Sequence, residues 1–423
     1  MEKGFRRERV GTEVEDGIIK PVALGIYISV PFCRTKCSYC NFASDVFSRT
    51  AFERYVDRVC ADIARAPQIA AEVGGTIERE VDTMYLGGGT PTVLESGQLE
   101  RLFTAVRAEF DVQPDAEVSV ECAPGTLAPA VIESLLRCGV NRVSLGVQSF
   151  VDVEAVAVGR LHKRATVVED IARLRAVGIR NINLDLIAGL PHQTAESWRL
   201  SLTETIATGV PHASVYMLEV DEDSRLGREL IAGGTRYHAH FVPDENATVD
   251  FYLAACEALE EPRIRQYEIS NFARAGFESR HNLKYWTRQP YLGFGVDAHS
   301  MLLSAAPGAE AVRFATSDVL EPFIAGAPLL RTVVSRHTAL EESFFLGLRL
   351  TRGVNLGELS ASFGEPAVGK FRDDIRELVH QGLLQQDGGW IRLSSKGRLL
   401  SNEVFQKFLS PEEVLVTERR PAK

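Results

Sequence analysis

Long apolar runs are missing from this sequence. No segment approaches the roughly 20 consecutive apolar residues that a membrane-spanning helix needs. Residues 1–14 are charged and hold no apolar core of the kind that a secretory signal peptide requires. Both absences predict a cytoplasmic protein.

A surplus of basic residues is missing as well. The chain has 47 Lys and Arg against 57 Asp and Glu, which gives a formal net charge of −10 and a pI of about 5.5. Because nucleic-acid binding draws on clustered positive charge, this balance argues against a nucleic-acid partner. An apolar content of 45% excludes disorder over most of the chain.

Cysteine is scarce, with seven residues in 423. An odd number in a large chain suits a reducing compartment, where disulfides are rare. Three cysteines crowd into residues 33–40, and the other four are expected to be small core residues. Those four are Cys60, Cys122, Cys138 and Cys256.

Short β-rich runs alternate with helical patterns from residue 25 to residue 220. Such alternation predicts parallel strands with right-handed crossovers. Six strands are too few for a closed eight-stranded barrel, so an incomplete six-unit (β/α) barrel fits better. The strands are predicted at residues 25–30, 83–86, 117–122, 142–145, 183–187 and 213–218. The predicted division is a loosely ordered N-terminus (1–20), the barrel (21–220), an extension (221–310) and a C-terminal domain (311–423).

The C-terminal domain is predicted to be a winged-helix-like α+β module. A helix at 371–381 is followed by a short hairpin around Asp387-Gly388-Gly389 and by another helix from Ser395. Winged helices often bind DNA, but the 371–381 helix mixes Arg with Asp and Glu and has no phosphate-seeking face. A lid or packing role is favoured.

The motif with the most specific chemistry is Cys33-x3-Cys37-x2-Cys40, in the loop after the first strand. Thiolates at this spacing suit zinc or an iron–sulfur cluster. Structural zinc usually takes four ligands, and no fourth Cys or His follows closely. A zinc site completed by a distant ligand remains the alternative to a [4Fe-4S] cluster with one open iron.

Further polar and glycine-rich segments follow successive strands. The run Gly87-Gly88-Gly89-Thr90 ends the second strand, where ligands bind parallel sheets and glycine lets backbone approach them. Together these positions predict one polar site at the barrel mouth. The other polar residues at or near strand ends are Glu121, Gln148, Arg160, His162 and Asp185.

The cysteine spacing resembles that of the radical S-adenosylmethionine (SAM) superfamily, whose architecture is a partial barrel with the cluster after its first strand. The runs Tyr27-Ile-Ser-Val-Pro-Phe-Cys33, Gly-Gly-Gly-Thr-Pro-Thr, Gly-Val-Gln-Ser-Phe and Asp-Leu-Ile-Ala-Gly-Leu-Pro more closely resemble the oxygen-independent coproporphyrinogen III oxidase family and its haem-chaperone branch. This resemblance implies that Cys33, Cys37 and Cys40 hold a [4Fe-4S] cluster. It also implies SAM contacts from Tyr27, Gly88, Gly89, Thr90, Glu121, Gln148, Arg160 and Asp185, with Met217 a weaker candidate.

Three features separate the two branches. The oxidases resemble C-x3-C-x2-C-x-C, but Phe42 stands at the fourth cysteine position here, as is typical of the chaperone branch. Only 32 residues precede Cys33, whereas the oxidases carry a longer extension. The segment His281-Asn-x-x-Tyr-Trp286 is a chaperone hallmark. It implies His281 as a haem ligand, with His299 as the second candidate.

The resemblance therefore favours a haem chaperone that binds a cluster and SAM and carries haem as its cargo. Its expected partners are haem and haem-accepting proteins, membrane-bound respiratory ones among them, and a homodimer is left open. The alternatives are coproporphyrinogen III oxidation, another radical SAM reaction on a tetrapyrrole, and a non-catalytic zinc protein. Whether SAM is cleaved or only bound, and hence whether the protein is an enzyme, stays open.

Three positions depart from the family pattern. Ser29 replaces a usual His, Ala123 a usual Asn, and Asp297 a usual Gly. The change at Ser29 removes a polar ring near the cluster, so a catalytic step that uses this ring is in doubt. None of the three is a cluster ligand.

Overall fold

The computed structural model describes the backbone of residues 12–15 and 18–410, and side chains from residue 22 to residue 410. Much of the N-terminus predicted to be loosely ordered (1–20) lies outside these residues. In its described part and the residue that follows, Thr12–Glu15 and Ile18–Pro21 form a two-stranded antiparallel ribbon. In the described part of the chain, no helix is long and apolar enough to cross a membrane.

Six parallel strands with helical crossovers form the predicted incomplete barrel. They are β1 (Leu24–Val30), β2 (Glu80–Gly88), β3 (Asp111–Cys122), β4 (Arg142–Gln148), β5 (Asn181–Ala188) and β6 (His212–Met217). The helices between them are α1 (Arg49–Ala64), α2 (Ala66–Val73), α3 (Ser96–Glu109), α4 (Pro129–Arg137), α5 (Asp152–Ala157), α6 (Arg164–Ala176) and α7 (Ala195–Ala207).

Alternation along the strands separates the core from the barrel interior. On β3, Val118 and Val120 are buried in the main hydrophobic core, which also contains residues of the surrounding helices. Glu117, Ser119 and Glu121 alternate with them and therefore point to the other face, into the barrel. This pattern gives the barrel an apolar outside and a polar inside.

The sheet continues beyond the six units on both sides. A short strand, β7 (Asn271–Ala273), pairs antiparallel with β6, and β8 (Tyr291–Gly295) adds a seventh parallel strand beside β1. Three antiparallel strands follow, which are β9 (His299–Ser304), β10 (Ala309–Ala315) and β11 (Leu330–Ser335). Shorter strands pair at its margins, Gly75–Thr76 with β9 and Arg265–Gln266 with β7. The domain boundary predicted at residue 310 thus falls within β10, inside the main sheet.

The segment between β6 and β11 contains more helix than its sequence suggested. Its helices are α8 (Arg225–Ala232), α9 (Glu245–Glu260), α10 (Arg280–Trp286) and α11 (Leu320–Ile324). The sequence pattern predicts one clear helix in this segment, at about residues 247–259, and this is α9. Helix α10 spans the His-Asn-x-x-Tyr-Trp segment.

The C-terminal module packs helices against a three-stranded antiparallel sheet, as predicted, around a stack of Phe344, Phe371 and Phe408. Its helices are α12 (Arg336–Gly347), α13 (Leu356–Phe363), α14 (Glu365–Gly369), α15 (Arg372–His380), α16 (Ser395–Leu399) and α17 (Ser401–Gln406). Its strands are β12 (Val354–Asn355), β13 (Leu384–Asp387) and β14 (Trp390–Leu393).

Candidate functional site

The three clustered cysteines lie on the loop that joins β1 to α1. The loop is fixed by backbone hydrogen bonds, among them Cys33 N–H to the Asp45 carbonyl at 3.0 Å and Cys40 N–H to the Cys37 carbonyl at 3.3 Å. Burial raises the pKa of the Cys33 and Cys40 thiols, and the neighbouring thiols raise it further. Within the described residues, no group of three or more His, Cys, Asp or Glu side chains is arranged to hold a single metal ion.

The glycine run lies directly against this cysteine loop. Gly89 N–H donates to the Val30 carbonyl and Thr90 N–H donates to the Phe32 carbonyl, both at 2.7 Å. A Cβ atom at position 89 would lie 2.6 Å from the Phe32 carbonyl oxygen and 3.0 Å from Cys33 Sγ. Only glycine permits this approach, so Gly89 keeps the space beside the thiols open. The three thiols themselves suit an iron–sulfur cluster.

Arg160 reaches the cysteine loop from the segment after α5. Its Nη1 lies 3.5 Å from Cys37 Sγ, and its Nη2 donates to the Gly146 carbonyl. Arg160 therefore contacts a thiol of the cysteine loop and also lies at the barrel mouth. Burial, reinforced by the Arg160 charge, lowers the pKa of nearby His162 to about 4, so this imidazole is neutral at pH 7.

Glu121 lies at the carboxyl end of β3, facing the glycine run. Tyr85 Oη donates to its Oε1 at 2.9 Å and Gly88 N–H donates to its Oε2 at 3.2 Å. Burial, followed by the charge of Asp185, raises the pKa of Glu121 to about 7. Glu121 is thus a half-buried carboxyl group that titrates near neutral pH.

Asp185 is the second half-buried carboxyl group of the barrel mouth. Ser144 Oγ donates to its Oδ2 at 2.9 Å and Asn183 Nδ2 donates to its Oδ1 at 2.7 Å. Burial still raises the pKa of Asp185, because these partners only partly offset the loss of water. Asp185 therefore points into the barrel toward polar partners.

Gln148 ends β4 with a left-handed backbone (φ 67°) at an irregularity in the β4–β5 pairing. Such strained positions persist where the surrounding structure holds them and often mark functional sites. Tyr27 pairs with Tyr85 across β1 and β2, with their ring centroids 6.1 Å apart. Met217 ends β6 and is half-buried.

Helix α10 closes the opposite end of the barrel. Glu117 accepts hydrogen bonds from the backbone N–H groups of Arg280 and His281, and a carboxylate stabilises a helix N-terminus. Lys284 Nζ reaches the Ala23 carbonyl and the Asp82 carboxylate, both at 2.7 Å and both near the amino-terminal ends of strands. The His-Asn-x-x-Tyr-Trp segment is therefore built into the amino-terminal end of the barrel, which is called the barrel floor below.

This placement constrains His281. The residue is 1% exposed, its Nδ1 lies 2.9 Å from Thr83 Oγ1, and its Nε2 lies 2.8 Å from Tyr285 Oη. Burial lowers its pKa to about 3, so the ring is neutral. Both ring nitrogens are engaged, and direct ligation of haem iron, as the resemblance implies, would require the hydrogen bond to Thr83 or to Tyr285 to break.

A cavity of about 310 Å³ lies between the cysteine loop, the glycine run and the barrel floor. Ser29 and Asp297, two of the three departures from the family pattern, both line it, whereas Ala123 does not. His299 is 70% exposed on its wall, so the second predicted haem ligand is accessible where the first is not. The other lining residues are Tyr27, Pro31, Phe42, Ala43, Ser44, Gly88, Gly89, Glu121, Tyr285 and Tyr291.

Sequence reasoning missed several residues of this site. Tyr85 binds Glu121, Tyr285 lines the cavity, and Asn183 joins Asp185 to a chain that continues through His212 to Tyr267. For the residues on strands, the signal that could have found them is the polar residue at every second position of the barrel strands, because those positions face the interior.

Comparison with known proteins finds two family models that match this chain. A model of the radical SAM superfamily matches residues 27–203, and one of the HemN C-terminal domain matches residues 334–400. The chain is 32% identical to the "Heme chaperone HemW" of Lactococcus lactis over 90% of this chain and 96% of that protein. It is 34% identical to the protein of the same name from Bacillus subtilis, over 90% of this chain and 98% of the relative.

Among solved structures, the chain resembles the radical SAM enzyme coproporphyrinogen III oxidase (HemN) from Escherichia coli. The TM-score is 0.76 at 24% identity, over 91% of this chain and 90% of the other. At this identity the similarity establishes the shared fold.

Proposed function

Because this chain belongs to the HemW family of the radical SAM superfamily, we propose that it is a haem chaperone that binds a [4Fe-4S] cluster, SAM and haem. The observation that carries the proposal is the composition of the cavity. Phe42, 62% exposed, stands on its wall where a true oxidase would place a fourth cysteine, and Tyr285 of the His-Asn-x-x-Tyr-Trp segment lines the same space. We extend the proposal to delivery of haem to haemoproteins, membrane-bound respiratory ones among them.

Cys33, Cys37 and Cys40 would hold the cluster, which supplies an open iron for SAM and an electron for its sulfonium. Gly88, Gly89 and Thr90 would hold the SAM amino group beside it, and Glu121 offers that ammonium a counter-charge. Asp185 and Gln148 would bind the remaining polar groups. Arg160 would lie between the ligand and Cys37, where an N–H donor to a cluster sulfur tunes the reduction potential.

The function is tested by anaerobic reconstitution with iron and sulfide, followed by two assays on one preparation. We expect ferric haem to bind with a defined absorbance spectrum. Coproporphyrinogen III, supplied with SAM and a reductant, should stay unconverted. Steady multiple-turnover formation of protoporphyrinogen would replace the chaperone proposal with the oxidase alternative, and transfer of bound haem to an apo-haemoprotein would support delivery.

SAM binding should depend on pH through Glu121. Its pKa of about 7 means that the carboxyl group is neutral below pH 7 and charged above it. A positively charged amino group binds the charged form better, so affinity should rise about fivefold from about pH 6 to about pH 7 and should level off above that pH, because an α-amino group with an ordinary pKa of about 8 then loses its own proton. Calorimetric titration of the reconstituted protein measures this dependence.

The Glu121→Gln variant should bind SAM more weakly and lose this pH dependence. Glu196→Gln is a matched control, because Glu196 is exposed on α7 and away from the lining of the cavity. An unchanged pH profile in Glu121→Gln would show that Glu121 does not bind the amino group.

The raised pKa of Glu121 also affects the stability of the ligand-free protein, which should fall with rising pH where SAM affinity rises. Because the pKa of Glu121 is raised in the folded state, its favourable contribution is complete below about pH 4.5 and is lost as the pH rises toward 7. SAM, bound at neutral pH, would supply the counter-charge that this half-buried carboxylate lacks.

A further inference from the structure

We propose that haem binds outside the cavity beside the cysteine loop, in a second cavity formed by α8 and residues 233–237, and that His238 is the ligand of its iron. The inference rests on the proposed haem-chaperone function and assigns the haem site within it. The described residues that line the first cavity include the carboxyl groups of Glu121 and Asp297 but no Lys or Arg. This lining suits the positively charged groups of SAM, whereas haem carries two negatively charged propionates.

The second cavity has the opposite charge. It has a volume of about 470 Å³, and its charged lining residues are three arginines and one glutamate. The Glu229 carboxylate accepts hydrogen bonds from the backbone N–H groups of Tyr237 at 2.7 Å and Ala239 at 3.1 Å, so the loop holds this carboxylate. Two positive charges are in excess, which matches the two propionates of haem, and guanidinium groups bind carboxylates in a bidentate geometry. The three arginines are Arg225, Arg228 and Arg236.

Two of these arginines are held in place by backbone carbonyls. Arg228 donates through Nε and Nη2 to the Asp223 carbonyl at 3.1 Å and 2.6 Å, and Arg225 Nη1 donates to the Lys36 carbonyl at 3.2 Å. Each guanidinium has five N–H donors, so others remain for a propionate. Because Lys36 belongs to the cysteine loop, the second cavity lies next to that loop, but it shares none of its lining residues with the first cavity.

His238 lies between the two loop residues that bond to Glu229, and a second histidine orients it. Its Nδ1 lies 3.1 Å from His192 Nε2. Burial, reinforced by the charges of the neighbouring histidines, lowers the pKa of His192, so its neutral ring accepts the Nδ1–H of His238. The lone pair of His238 Nε2 then remains for iron, and ligating histidines are commonly oriented in this way through their other nitrogen.

The surroundings of His238 suit a cargo that must be accepted and released. The residue is half-buried, whereas His281 is 1% exposed with both ring nitrogens engaged. The exposed Phe241 ring lies 6.2 Å from the His238 ring, and α8 exposes Leu230 and Ile231, so apolar side chains are available to a macrocycle. On binding, the Nε2 lone pair replaces a water molecule on the ferric iron, and no proton or electron is transferred.

The position of the site is tested by titrating ferric haem into the reconstituted protein with and without saturating SAM. Because the two ligands occupy separate cavities, SAM should change the haem affinity, measured by the Soret absorbance, by less than about twofold. His238→Ala should weaken haem binding at least about tenfold and remove the spectrum of imidazole-ligated iron. His380→Ala, which removes an exposed histidine from α15, should change neither, and the cluster absorbance should be the same in all three proteins.

The role of the arginines is tested with haem and with its dimethyl ester, in which both propionates are uncharged. The double variant Arg228→Gln and Arg236→Gln should bind haem about tenfold more weakly and bind the ester as the wild type does. The matched control is the double variant Arg372→Gln and Arg376→Gln, which makes the same change of charge at two exposed positions of α15 and should bind haem normally.

The outcomes separate this inference from the function on which it rests. A wild-type protein that binds no haem contradicts the chaperone proposal and the site together. Haem that SAM displaces, or whose binding His299→Ala weakens while His238→Ala does not, overturns the assignment to the second cavity and leaves the chaperone function standing. Equal losses of haem and ester in the Arg228→Gln and Arg236→Gln double variant would overturn the proposed contacts to the propionates.

Discussion

Replacing any one of Cys33, Cys37 and Cys40 with serine should abolish the iron–sulfur cluster. Three thiolates on one loop are expected to hold about four irons and four sulfides per chain. Because the protein supplies only three of the four cluster ligands, the loss of one more should prevent the cluster from binding. Iron and labile-sulfide analysis after anaerobic reconstitution, with visible absorbance, measures the loss. We expect less than about a tenth of the wild-type content in each variant.

Cys60→Ser is the matched control for these variants. Cys60 lies on α1, beyond the cysteine loop, with its Sγ 3.8 Å from the Arg101 carbonyl. Its replacement should leave iron and sulfide content unchanged. A wild-type protein with one zinc per chain and no labile sulfide would instead support the zinc alternative, and full iron content in any of the three loop variants would remove that cysteine from the ligand set.

Local sequence pattern was sufficient for the barrel. Each of the six strands carries apolar residues on its outer face, and each is separated from the next by a helical period, so the parallel order follows from connection rules. The helical pattern over about residues 51–71 predicts one long helix, whereas the structure has two, α1 and α2, with Pro67 in the first turn of the second. Proline suits that first turn because its missing N–H has no intrahelical partner there.

Distant contacts set the parts that the sequence did not predict. Helix α10 contains Tyr285 and Trp286, which favour strands by propensity, and it has only seven residues. It is held by Glu117 and Asp82, more than 160 residues earlier in the chain. Because no local pattern encodes those partners, no helix is predicted for this segment from the sequence, and His281 could not be recognised as a buried residue.

In the candidate site, too, the contiguous motifs could be predicted and the contacts between distant segments could not. The cysteine and glycine motifs are contiguous in sequence, so their roles could be predicted from spacing and resemblance. The cavity wall combines Tyr27 and Ser29 from β1, Tyr285 from α10, and Asp297 and His299 from the β8–β9 turn. Only folding brings these segments together, and it places two departures from the family pattern, Ser29 and Asp297, in one space.

The largest effect on stability is expected from Glu342, on the first helix of the C-terminal module. Its Oε2 lies 2.8 Å from Arg288 Nε, just after α10, and its Oε1 lies 2.7 Å from Arg313 Nη1 on β10. Glu342 and Arg288 are almost fully buried, so the carboxylate is the counter-charge that permits burial of the guanidinium. Glu342→Gln should destabilise the protein by about 3–5 kcal/mol, because it leaves a buried cation uncompensated.

Urea unfolding, followed by tryptophan fluorescence and circular dichroism, measures the change. Glu365→Gln is the control, since Glu365 pairs with Arg372 in an exposed ion pair of the same module, and its loss should leave the unfolding midpoint unchanged. The ion pairs of Glu342 join the C-terminal module to the segment that carries Tyr285, and Glu342→Gln should leave the cluster absorbance at its wild-type level. Equal midpoints for the two variants would show that the buried ion pairs contribute no more than exposed ones, and that packing around Phe344, Phe371 and Phe408 holds the module in place.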